Sequence, residues 1–116
     1  QEAFDFINEC GFDRKSRIWR KADLFTVVTE LYNALVGEKL PLQPIDVVER
    51  LNRFYSEVDA GSVSQQDLAG IYYKAALQAS NDRVNRVRRG MIIAGVIRDL
   101  SPEAIHSTLV THGLAV

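Results

Sequence analysis

With Cys10 as its only cysteine, the chain cannot close an internal disulfide, which argues against a secreted, cross-linked scaffold and for a reducing compartment. No apolar run approaches the roughly 18 residues needed to span a bilayer, so no membrane role is expected and the cytoplasm is the expected location. An excess of one charge is also missing. The 14 basic residues face 15 acidic ones for a net charge of −1, so bulk charge selects neither a nucleic-acid binder nor an acidic tail. The only methionine is Met91 and the chain opens at Gln1, so it reads as a piece of a longer protein whose other domains are its first expected partners. Clustered catalytic or metal-binding side chains are scarce too. His106 and His112 would face differently even on one helix, Cys10 is distant from both in sequence, and no clear zinc spacing occurs. Asp5 and Glu9 imitate an acid/base pair, but a solvated acidic face explains them better, and Cys10 beside Phe6 and Ile7 reads as a small buried hydrophobe. No catalytic residue, metal or cofactor is therefore expected.

What the chain does have is helical period. Its 116 residues, 47% of them hydrophobic, suffice for one packed domain. Ala3, Phe4, Phe6, Ile7 and Cys10, at mostly three- and four-residue spacings, mark a first helix closed by Gly11. Residues 12–21 form a basic connector in which Ile18 and Trp19 are the anchor, with Ser16 to Trp19 able at most to pair briefly as a strand. A second helix is expected from about Ala22 to Val36, with Leu24, Val27, Val28, Leu31 and Leu35 on one stripe and Phe25, Tyr32 and Val36 widening it. Pro44 starts a third, which ends at the segment DAGSVS. Ser64 with Asp67 resembles a capping box for a fourth, reaching about Ala79. Ser80, Asn81 and Asp82 offer caps for a fifth, which is arginine-laden first and nearly all apolar from Met91 to Ile97. Ser101 and Pro102 open the last, closed by His112 and Gly113. The fold class is all-α, an irregular or orthogonal bundle of about six helices with the second and fifth at its centre.

Basic residues are clustered even though they are not in excess. Ten of the fourteen fall in two windows: Arg14, Lys15, Arg17, Arg20 and Lys21 in the first, and Arg83, Arg86, Arg88, Arg89 and Arg98 in the second. Arg83, Arg86 and Arg89 recur every three residues, so they drift slowly round a helix and present guanidinium forks along one edge. If the two windows meet, Arg14, Lys15, Arg17, Arg20, Lys21, Arg83, Arg86, Arg88 and Arg89 form a basic groove able to hold a nucleic-acid backbone, DNA included, without reading its sequence. The alternative is that these arginines pair with Asp82, Asp99, Glu30 or Glu49 inside the bundle, solubilise it, or face another domain. Trp19 can stack on a base or anchor a loop, and Tyr72 and Tyr73 carry the same two readings.

Tyr73, Ala76, Ser80-Asn81-Asp82-Arg83, Asn85-Arg86 and Arg88-Arg89, followed by an apolar helical stretch, resemble the C-terminal helical region of a bacterial family with a ParB-like N-terminal domain. That family includes the GmrSD-type modification-dependent restriction proteins. The segment WRKADLFTVVTEL is similar to the family's earlier helix, and the resemblance runs from about Phe4 to Ile97. It implies a helical module behind a nuclease-like or nucleotide-hydrolysing domain, in a DNA-processing or phage-defence setting. The family's Asp-Gly-Gln catalytic motif is absent here, as is the His-rich motif of some partners, so no activity is carried to any residue of this chain. The stretch after Leu100 departs from the family pattern. The expected role is a non-catalytic accessory domain that supports a catalytic one and contacts nucleic acid, with a pure protein-interaction or interdomain scaffold as the alternative.

Overall fold

Gly11 closes the first helix in the left-handed conformation, φ 66°, that its position predicts. That helix, α1, spans Glu2–Cys10. In the computed structural model, which describes residues 1–61, 67–77 and 81–115, it is followed by α2 (Lys21–Tyr32), α3 (Pro44–Asp59), α4 (Leu68–Leu77), α5 (Arg83–Ile97) and α6 (Pro102–Thr111). The fold is an all-α bundle of six helices, and among the described residues there is no strand. The connector's Ser16–Trp19 segment, open to strand pairing on sequence alone, makes a single 3-10 turn over Arg17–Trp19 instead. Ser16 Oγ accepts the Ile18 N–H at 3.2 Å, and this local bond holds the turn shut. None of the described helices is long and apolar enough to cross a membrane.

Several ends differ from the expected ones for local reasons. The α-helical part of α2 stops at Tyr32, and a π turn covers Asn33–Gly37, where the Glu38 N–H reaches back five residues to the Asn33 carbonyl at 2.9 Å. At the start of α4 it is Asp67 that caps, its Oδ1 accepting the Ala69 N–H at 3.2 Å. Asp67 therefore holds the N-cap place expected of Ser64, whereas Ser64 itself, Ala79 as the end of α4 and Ser80 lie outside the described residues. After Ile97 α5 stops, because Asp99 takes φ 59° and the Leu100 N–H turns back to the Gly95 carbonyl at 2.9 Å. Ser101 caps α6 as predicted, its Oγ accepting the Ala104 N–H at 3.1 Å ahead of Pro102.

At the centre of the bundle α2 and α5 share its most extensive helix pairing, with α4 packed on α5 and α1 on both α2 and α3. The core combines Val27 and Leu31 of α2, Val47, Leu51 and Val58 of α3, Ile71 and Tyr72 of α4, and Ile92, Ile93 and Ile97 of α5. Gly95 lets α6 approach α5 closely: a Cβ there would fall 2.4 Å from Ile105 Cγ1, so any side chain would force the helices apart. The far end of α5 is pinned by Arg50 of α3, whose Nη1 donates to the Ile97 carbonyl at 2.8 Å, and by the Arg98–Glu38 ion pair. The opposite end of α5, which carries Arg86 and Arg89, lies beside the start of α2.

Candidate functional site

Each basic window is attached to the core by buried isoleucine. In the first, the Arg17–Trp19 turn drives Ile18 fully into the core and leaves Arg20 and Lys21 exposed at the head of α2. Trp19 is 42% exposed, and its indole N–H donates to the Asp13 carbonyl at 2.9 Å, so the loop's apolar anchor is Ile18 and the indole ties the turn to itself. In the second window α5 turns Ile92, Ile93 and Ile97 inward while Arg83 and Arg86 stay outside.

Arg17 and Arg89, both candidates for the basic groove, are not on the surface. Both are buried, Arg89 at 1% exposure, and so is Asp23 at 1%, which pairs directly with Arg17 and acts on Arg89 through its charge. Arg17 Nη1 lies 3.3 Å from Asp23 Oδ2, its Nε donates to Asp59 Oδ1 at 2.9 Å, and its guanidinium sits 5.9 Å above the Tyr73 ring. The Tyr72 hydroxyl donates to Asp23 Oδ1. Arg89 donates through Nη1 to the Ala75 carbonyl at 2.7 Å and through Nε to Thr26 Oγ1 at 3.3 Å. The windows therefore do meet, in a buried polar knot that ties the head of α2 to α4 and α5. Tyr72 is wholly inside it and Tyr73 lies under Arg17, so both are engaged within the fold.

The electrostatics follow from enclosure. Burial pushes the Asp23 carboxyl above the usual carboxylate range, against the pull of the Tyr72 hydrogen bond and the charges of Arg17, Arg20 and Arg89. Burial lowers Arg89. It would lower Arg17 too, but the Asp59 hydrogen bond and the charges of Asp23 and Asp59 outweigh it and leave Arg17 raised. Asp23, Tyr72 and Arg89 are almost wholly withdrawn from solvent, while Asp59 at the edge of the knot stays exposed. The hydrogen bonds of the knot join α2, α4 and α5.

The physical reason for Arg89's burial is the helix itself. Three residues turn an α-helix about 300°, so each step from Arg83 to Arg86 to Arg89 slips about 60° round the barrel. Two steps carry the row from solvent into the stripe of Ile93 and Ile97, four and eight residues beyond Arg89. Arg88 is half-buried and committed, donating to the Leu114 carbonyl at 2.8 Å and to Asn85 Oδ1 at 2.7 Å. The ion pairs of these windows go to Asp23, Asp59 and Glu38, while Glu49 pairs with Arg53.

What remains at the surface is a recess of about 220 Å³ between the heads of α2 and α5, lined by Lys21, Ala22, Phe25, Asn81, Arg86 and Arg89. Lys21 and Arg86 bring one exposed cation from each window, and the buried Arg89 forms part of its wall. Phe25, placed beside the apolar stripe of α2 by its spacing, is instead 59% exposed. A shallower groove of about 340 Å³ continues from it past Phe25 and Arg86 to Val87, Gly90, Met91 and Ala94. Arg14, Lys15, Arg20 and Arg83 are exposed but do not line the recess.

Sequence reasoning missed Asp23, Phe25 and Asn81. Asp23 carried a readable signal: it stands four and eight residues before Val27 and Leu31, a charge on the stripe that faces the core. Cys10 is half-buried, its thiol set toward the Pro44 carbonyl at 3.5 Å and pushed by burial up to about 11, so it is no ready nucleophile at neutral pH. Asp5 and Glu9 are exposed. Among the described residues no three His, Cys, Asp or Glu side chains are grouped to hold a metal. Comparison with protein-family models, curated proteins and solved structures finds no match to this chain.

Proposed function

We propose that this chain is a non-catalytic helical accessory module that holds a nucleic-acid backbone on the surface between the heads of α2 and α5. The observation that carries this reading is the recess, where Lys21 of the first basic window and Arg86 of the second stand at one opening with Arg89 behind them. Exposed ammonium and guanidinium groups bind phosphate by charge and displace its counterions, without reading bases. The wider setting proposed is a ParB-like, restriction or phage-defence protein in which another domain does the chemistry. That part of the proposal rests on the resemblance in residues alone.

Fluorescence anisotropy of a labelled DNA duplex at two salt concentrations tests the reading. The wild type is expected to bind, and Lys21→Gln and Arg86→Gln each to weaken binding alike for different sequences while flattening the salt slope by about 1. Because both side chains are exposed, the melting temperature should barely move. Absence of binding at low salt would overturn the proposal. A second reading, a protein-docking surface, is favoured by the apolar lining of the adjoining groove at Phe25, Val87 and Met91. Such a surface binds a partner domain whether or not it binds duplex, so failure of the anisotropy experiment would leave it as the better account.

A further inference from the structure

Phosphate binding does not call for Phe25. The ring sits one helical turn after Lys21 on α2, and it is more exposed than the Trp19 indole. A lone exposed apolar side chain needs no explanation, but this one lines a recess whose other walls carry Lys21, Arg86 and the amide of Asn81. An aromatic face flanked by cations is the arrangement that receives an unpaired base and the phosphates on either side of it.

We infer that the recess takes one nucleotide of a single strand, with its base stacked on Phe25, its flanking phosphates on Lys21 and Arg86, and its edge against the Asn81 amide. The inference rests on the proposed nucleic-acid reading and narrows it from backbone binding in general to unpaired strands. Size supports that narrowing. At about 220 Å³ the recess is smaller than the pockets, roughly 300 Å³ and upward, that hold drug-sized ligands, which suits one planar ring. A duplex keeps its bases stacked on each other and can offer this surface only its backbone, leaving Phe25 idle. Every base has a face that can stack, so little sequence preference is expected. Arg89 contributes without moving, because its bonds to Ala75 and Thr26 hold a positive charge fixed in the wall.

The test compares a labelled oligothymidine with a duplex of the same length, at the same salt, using the whole chain. The single strand is expected to bind more tightly than the duplex. Phe25→Ala should cost roughly 5- to 150-fold in single-strand affinity while leaving duplex binding unchanged, and Phe25→Trp should retain the affinity. Lys21→Gln and Arg86→Gln should weaken both ligands. An unchanged melting temperature for Phe25→Ala, expected from its exposure, shows that the fold is intact. If Phe25→Ala binds the single strand as the wild type does, or loses both ligands equally, stacking is overturned while backbone binding stands. If the wild type binds neither ligand, both readings fall and the recess with its adjoining groove is left to a protein partner.

Discussion

The buried knot and the open recess are made from the same two stretches of chain, yet they hold their cations for opposite purposes. Arg86 lines the recess at the surface, and Arg89, one turn further along α5, is sealed behind it. Lys21 is exposed at the head of α2, and Asp23, two residues on, is as buried as Arg89. In the knot each charge has a fixed partner, so its free energy is committed to the fold. In the recess no ion pair engages Lys21 or Arg86 among the described residues, which keeps their charges available to a ligand. A cluster of basic residues in sequence is thus two populations, and helical phase sorts them.

The largest expected effect comes from removing the acid at the centre of the knot. Asp23→Ala removes the carboxylate that pairs with the buried Arg17 and accepts the Tyr72 hydroxyl, leaving Arg17 with Asp59 alone, and denaturant unfolding should show a loss of about 3–5 kcal/mol. A loss under about 1 kcal/mol would mean that water reaches Arg17 and that knot and recess are not distinct environments. Next comes the direct contrast along α5. Arg89→Gln removes charge-assisted bonds to Ala75 and Thr26 and should cost about 1.5–3 kcal/mol, whereas Arg86→Gln should stay within about 0.5 kcal/mol and change only ligand binding. Equal melting temperatures for the two variants would erase the comparison.

The smallest effect is on pH dependence. Burial raises the folded pKa of Asp23, so the folded chain holds that proton more tightly than the unfolded one. Ionisation of Asp23 therefore penalises the fold at neutral pH. The penalty is relieved as pH falls through the raised folded value toward the unfolded value near 3.9. Thermal melts over that window should show the wild type gaining on Asp23→Asn as the solution is acidified. The opposite trend would show that Arg17 and Tyr72 outweigh burial and hold the carboxyl below its ordinary range.

Much of the fold was legible because it depends on neighbours in the chain. The Gly11 close, the proline starts at Pro44 and Pro102 and the Ser101 cap are all local bonds or local conformations. The inward stripes of α3 and α5 follow from a period of 3.6. The π turn after Tyr32 was not legible, since its five-residue step competes with an α-helix on nearly equal local terms and depends on how the chain must leave α2. Of the candidate site, exposure of Arg20, Lys21, Arg83 and Arg86 agrees with a basic surface, while Arg17 and Arg89 left it for the core.

By itself the sequence determined that the chain is helical, where most helices start, and that its basic residues come in two groups, because capping, turn chemistry and periodicity act over a few residues. Only the tertiary structure decided which arginines face water. That choice depends on whether a partner from a distant segment waits inside: Asp23 and Thr26 of α2 and the Ala75 carbonyl of α4 make a place where a guanidinium can leave water with its bonds satisfied. The slip of the row round α5 brings Arg89 inward and leaves Arg83 and Arg86 exposed to water.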